Sequence, residues 1–269
     1  MLSPNFFNTF FIIPILNVLV SFYKILLVLK IPGAFGFAVI ALTVLVRIIL
    51  HPFFKQQLET AKKMQEMKPH LDKLSLQYKK EPQKLQQEQL KLYQQAGINP
   101  ASGCLFLIIQ IPVFIGLYNT LSLFFLNGQA ATVIHKINSV LYSPLLKISS
   151  IDPWFFGFNL ALTPAKGGQW YYYLIPVLTG VLQYLQVQVS VPQMAQTKAI
   201  EEKKPENADP NKKTDDSGDF QKAMNTQMKY IFPLMIGWFS YTLPVGLSLY
   251  WNIFSLFSIM QYRKINPKS

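Results

Sequence analysis

The chain has 269 residues, of which 51% are apolar, 14% aromatic and only 14% charged, where soluble proteins carry about 25% charged residues. A soluble fold of this size has too little interior to hide that apolar surface, so an ordinary cytosolic enzyme is excluded and a membrane protein is implied. The formal charge of +12 is clustered, with nine lysines from Lys55 to Lys91 and seven from Lys198 to Lys229. This is loop charge, not a nucleic-acid-binding stripe, and no direct nucleic-acid partner is expected.

Residues 1–33 open the chain. Phe6 to Tyr23 is nearly long enough to span a bilayer but has no basic stretch before it and no small-residue cleavage site, so it is not a signal peptide. Asn17, Ser21 and Lys24 fall at helical spacing and give one polar face. We read an interfacial helix on the outer leaflet, with a sixth span as the alternative. A span needs about 20 mostly apolar residues, and 34–54 meets that, interrupted by Thr43, Arg47 and His51. Across 55–102, Leu58, Met64, Met67, Leu71, Leu74 and Tyr78 step by threes and fours, and the pattern breaks at Glu81-Pro82 before resuming from Leu85 to Tyr93. That predicts a helical hairpin turning near Pro82, with Pro69 kinking its first arm and the methionines packed between the arms.

The second span is 103–127, followed by a loop over 128–169 and a third span over 170–191. Residues 192–229 form a charged loop whose part 197–219 is polar, unpatterned and expected to be disordered. The stretch 230–262 is too long for one span and breaks at Thr242-Leu243-Pro244, giving the fourth and fifth spans before a basic tail, 263–269. The lysine-rich loops 55–102 and 192–229 belong on the cytoplasmic side, while 128–169 holds only Lys136, Lys147 and Lys166. Five spans then place the N-terminus outside and the C-terminus in the cytoplasm.

Arg47 is the lone Asp, Glu, Lys or Arg within these spans. A charge near the bilayer centre costs about 3 kcal/mol on insertion scales, so it should face protein or water unless it snorkels to the headgroups. Thr43, Arg47 and His51 recur every four residues, and Ser248, Asn252 and Ser255 share one face of the last span. Gln110 and Asn119 lie on the second span, and Gln183 and Gln186 on the third. Singly, such residues serve as hydrogen-bonding glue between helices. Together with an uncompensated cation they point to a wet cavity able to attract an anion transiently: a solute, a lipid phosphate or an acidic peptide segment.

No catalytic constellation is present: no G-x-S-x-G, H-E-x-x-H, P-loop or intramembrane carboxylate pair, so no enzyme is expected. The lone Cys104 and the scattered His51, His70 and His135 give no metal site, and no cofactor is called for.

The run Leu42-Thr43-Val44-Leu45-Val46-Arg47 closing at His51-Pro52 resembles the first core span of the YidC/Oxa/Alb family of membrane protein insertases. The likeness continues through Leu92-Tyr93, Gly97-Ile98-Asn99-Pro100, Gly103-Cys104-Leu105 and Gln110-Ile111-Pro112. It returns at Ile175-Pro176 with Gly180, at Phe232-Pro233 and at Pro244-Val245-Gly246-Leu247-Ser248-Leu249-Tyr250-Trp251. The ordered set covers residues 30–262 and is far more specific than any one block. Three positions depart from the pattern: Phe106 replaces a proline, Ser255 with Asn252 rearranges the polar face of the last span, and Asn159 stands where an acidic residue is common.

The resemblance implies an all-α polytopic membrane protein with a five-span insertase core, an outer interfacial helix and a cytoplasmic helical hairpin. It implies a hydrophilic groove open to cytoplasm and lipid, with Arg47 as its arginine and Trp251 and Gln186 lining it. Thr43, Gln110 and Asn252 complete the candidate groove. The expected partners are newly made membrane proteins and the bilayer, and the likeness also raises the Sec translocon and the ribosome. It suggests a short form of the family, without a large extracytoplasmic domain, in a bacterial plasma membrane. The competing reading is a small anion or solute transporter using Arg47 as its binding charge, although neither internal repeats nor paired broken helices are visible.

Overall fold

The computed structural model describes residues 5–78, 81–97, 102–125, 131–190 and 227–265. The stretch 197–219 and the end of the tail lie outside these residues, as do the side chains of 101–110, Gln110 and Cys104 among them.

The chain begins with a continuous helix, Asn8–Val28, long and apolar enough to cross a membrane. Its first five residues are π-helical, and α1 proper is Ile13–Val28. The Asn5 side chain accepts from the Asn8 N–H at 2.7 Å and supplies one of the partners a helix start lacks. Leu16, Leu19, Val20 and Tyr23 are buried, so this helix packs along the bundle. Asn17 also turns inward. Its amide donates to the carbonyls of Ile13 and Val140, and its oxygen accepts from the Tyr142 N–H. The polar face expected at Asn17, Ser21 and Lys24 is therefore not a water-facing stripe. Asn17 ties the helix to the segment after α7, and Ser21 bonds back to the Asn17 carbonyl.

Helix α2, Ala34–Ile49, stops before the expected end of the first span. At Leu50 the path bends by 64° into α3, His51–Glu66. Pro52 gives the reason: it has no N–H for the Ile48 carbonyl, and its ring crowds that carbonyl. Proline reappears at the second position of α4, Lys68–Gln77, and at the first of α5, Pro82–Gln95. The arms α4 and α5 pack together, with Met64 and Leu71 buried.

Helix α6, Ser102–Phe125, carries Pro112 inside it. It meets the first helix at Gly116, where a Cβ would come within 2.9 Å of the Ile15 Cδ1. After α7, Ala131–Ser139, comes a hairpin of two short antiparallel strands, β1 (Trp154–Phe155) and β2 (Phe158–Asn159), with Phe155 opposite Phe158. Both turn residues have positive φ, 47° at Phe156 and 84° at Gly157, as a type I′ turn requires. The Phe155 ring lies over Gly33 and Gly36, where a Cβ would overlap it. This pins the hairpin onto the start of α2.

A 3-10 turn, Trp170–Tyr173, leads into α8, Leu174–Ser190. A π-helical turn, Gln227–Ile231, leads into α9, Phe232–Thr242, and Leu243-Pro244 separates α9 from α10, Val245–Ile265. The free N–H groups at the start of α10 donate to loop carbonyls, Val245 to Leu162 and Gly246 to Leu160, both at 2.9 Å. The apolar core joins α1, α2, α6, α10 and the hairpin loop. Within it, Tyr23, Phe35 and Phe124 meet edge to face at 5.6 and 5.5 Å.

Candidate functional site

The site is built where α2, α3 and α10 meet. Arg47 lies in the last turn of α2 and is 2% exposed, so it neither snorkels to a surface nor faces lipid. The bend at Leu50 brings Phe54 of α3 back over its guanidinium, with Arg47 Cζ 4.0 Å from that ring centre. Phe254 of α10 covers the guanidinium as well, at 3.8 Å. The cation thus contacts two aromatic faces.

Its N–H groups are directed to α10. Nη2 donates to the Phe254 carbonyl at 2.6 Å and to the Ser258 hydroxyl, and Nη1 donates to the Gln261 Oε1 at 3.3 Å. The Gln261 amide nitrogen lies 3.3 Å from the His51 Nδ1. A cavity of about 300 Å³ opens beside this array, lined by Arg47, Ile48, His51, Phe257 and Gln261. Among the described residues no carboxylate pairs with Arg47. Neutral dipoles and ring faces hold the charge instead.

The other expected residues are arranged unequally. Thr43 is one turn earlier on α2 and fully buried, but its hydroxyl donates to the Val39 carbonyl and is used locally. Trp251 on α10 packs against Phe114 of α6, with ring centres 5.2 Å apart. Gln186 on α8 and Asn252 on α10 are half-buried, and each has a buried side-chain oxygen with no partner among the described residues. The same holds for Gln183 Oε1, Thr120 Oγ1, Ser122 Oγ and Arg47 Nε. These atoms come from α2, α6, α8 and α10, and α10 packs on each of the other three.

A buried polar atom left without a partner costs about 1–3 kcal/mol, and proteins rarely leave several. Such atoms on packed helices call for water or a polar ligand as their partner. The sequence missed Phe54, Phe254, Ser258 and Gln261 as companions of Arg47. A signal existed for two of them: Ser255, Ser258 and Gln261 follow by threes and continue the polar face of the last span. The contact made by a backbone carbonyl, at Phe254, has no counterpart in a residue pattern.

An all-helical membrane protein with a sequestered arginine and a polar interior is the class these elements define. Residues 26–269 match the family model described as 60Kd inner membrane protein, and the chain belongs to that family, the YidC/Oxa/Alb membrane proteins.

Among its relatives is the inner membrane ALBINO3-like protein 2, chloroplastic, of Chlamydomonas reinhardtii. It is 36% identical over 233 residues, 86% of this chain and 50% of that protein. The inner membrane protein ALBINO3, chloroplastic, of Arabidopsis thaliana is 32% identical, over 87% of this chain and 48% of the relative. The membrane protein insertase YidC of Helicobacter pylori is 31% identical, over 87% of this chain and 33% of the relative. The chain therefore spans half or less of the length of these relatives.

Proposed function

We propose that the protein is a membrane protein insertase. It would take polar segments of newly made membrane proteins into a hydrophilic groove and release their apolar segments sideways into lipid. The observation that carries this reading is the set of buried polar atoms on α2, α6, α8 and α10 that have no partner among the described residues, on a chain whose family includes proteins named as insertases. Each backbone polar group of a client that enters hydrocarbon unpaired costs several kcal/mol. A wet groove part-way through the membrane shortens the unpaired path and lowers that barrier. No covalent step is needed, because entry of the apolar client segment into lipid supplies the driving force.

Arg47 is the electrostatic attractor. Its hydrogen bonds to neutral groups keep it charged and oriented without a carboxylate that a client would have to displace. An acidic client segment therefore gains from it and still leaves. Gln183, Gln186 and Asn252 supply exchangeable hydrogen bonds on the groove wall, and Trp251 supplies an amphipathic surface there. The cytoplasmic hairpin over 55–102, with α3 and α4 as its first arm and α5 as its second, receives clients. The first helix lies at the outer leaflet, α2, α6, α8, α9 and α10 are the five spans, and the C-terminus is cytoplasmic, in a bacterial plasma membrane. The Sec translocon and the ribosome are candidate upstream partners.

The test uses liposomes carrying the purified protein and a single-span client with an acidic N-terminal tail. Protease protection of the tail should need the protein and fall several-fold for Arg47→Ala, while a client with a neutral tail loses much less. Protection no better than in empty liposomes would dismiss the insertase reading and bring anion transport forward.

A further inference from the structure

Away from the Arg47 site, α8 and α9 cross at glycine. A Cβ on Gly237 would lie 3.2 Å from the Pro176 carbonyl and 3.5 Å from the Gly180 Cα, so the two backbones touch with no side chain between them. Above this floor, Val177 and Val181 of α8 and Leu234 and Trp238 of α9 stand out as walls, 51–74% exposed. The result is an apolar groove of about 680 Å³ on the outer face of the bundle.

Its ends are aromatic. Tyr184 and Tyr230 stack at one end with centres 6.1 Å apart, and Tyr241 packs on Trp238 at the other, 5.9 Å apart. From Tyr230 to Tyr241 the helical rise is about 16 Å. That is about the reach of acyl chains from a headgroup at the membrane surface, half of a hydrocarbon core about 30 Å thick.

The dimensions discriminate between occupants. About 680 Å³ spread over about 16 Å gives a cross-section of about 40 Å². A helix about 10 Å across has about twice that cross-section, so it rests on the rim of the groove, whereas flexible hydrocarbon chains fill it down to the glycine floor. Charge fixes the rest. Lys229, half-buried, places its Nζ 5.3 Å from the Tyr230 ring centre, at the tyrosine-stacked end. A cation at the mouth of a one-leaflet apolar slot complements a phosphate.

We propose that the α8–α9 groove is a binding site for an anionic phospholipid, its acyl chains lying between Val177, Val181, Leu234 and Trp238 and its headgroup at Lys229. The ligand belongs to the membrane itself and is distinct from any client, and the site is separate from the Arg47 groove.

Trp238 reports on the site directly. In a variant with Trp154, Trp170 and Trp251 changed to Phe, quenching of Trp238 by chain-brominated phosphatidylglycerol is compared with that by phosphatidylcholine carrying the same chains. The anionic lipid should quench at roughly fivefold lower mole fraction, the factor one surface lysine contributes. Lys229→Gln should remove the preference and Lys264→Gln should leave it. Val181→Phe, which fills the slot from an exposed position, should weaken quenching by both lipids.

Native mass spectrometry of the otherwise unmodified chain gives an independent reading: a retained anionic phospholipid, lost in Val181→Phe. Equal quenching by the two lipids, a preference untouched by Lys229→Gln, or quenching only by a brominated transmembrane peptide would overturn the proposal. None of these readouts involves insertion, so failure here and failure of the insertase reading are distinguishable.

Discussion

Two polar clusters lie inside the helical bundle, and they are built in opposite ways. At the α8–α9–α10 junction, the Ser240 hydroxyl donates to Thr179 Oγ1 at 3.1 Å and lies 2.7 Å from Ser248 Oγ, while Thr179 donates to the Ile175 carbonyl. All three residues are 1% exposed, their hydroxyls are all partnered, and the Gly180–Gly237 crossing lies on the same pair of helices. Further along α8 and α10, by contrast, Gln183, Gln186 and Asn252 keep oxygens with no partner among the described residues. Both clusters consist of neutral polar residues contributed by different helices. The first is glue and the second is a lining, and what separates them is whether packing satisfies each atom, not which residues are present.

Substitutions should therefore act on stability at one cluster and on function at the other. The largest loss of stability is expected from Gly237→Leu, because the side chain must enter a backbone contact that cannot widen. Overpacking of this kind costs about 1–3 kcal/mol or more, seen as a large fall in the thermal midpoint in detergent. Ser240→Ala should cost less, about 1 kcal/mol, since it strips two neighbouring hydroxyls of a shared partner. At the other cluster, Asn252→Leu should leave the thermal midpoint unchanged or slightly raised, because it removes an amide whose oxygen has no partner among the described residues, while insertion of polar client segments falls. A loss of stability for Asn252→Leu matching that of Ser240→Ala would erase the distinction.

Much of this was legible in the sequence where one residue type dictates the outcome. Pro244 divides the long apolar stretch into α9 and α10, Pro82 starts the second hairpin arm, and Arg47 stands out as a charge inside an apolar helix. The unreadable parts depend on contacts between distant segments. Pro52 marks a break in the helix, but Phe53 and Phe54 continue the apolar run of the first span, so nothing local shows that the bend sends Phe54 back onto Arg47. The β1–β2 hairpin is held by Phe155 over two glycines of another element, and Asn17 looks like part of a polar stripe until its partners at Val140 and Tyr142 are known. Spacing puts Ser248 and Asn252 on one face of α10, yet Ser248 is satisfied by Ser240 while the Asn252 oxygen has no partner among the described residues, a difference that only the packing of other helices decides.

The most direct test of the groove is water access to single cysteines in a Cys104→Ser background, read with a small membrane-impermeant thiol reagent added from the cytoplasmic side. Gln186→Cys and Asn252→Cys should react readily, with Ser240→Cys protected. Equal protection of all three positions would mean that the polar interior around Arg47 is dry, and would contradict the account.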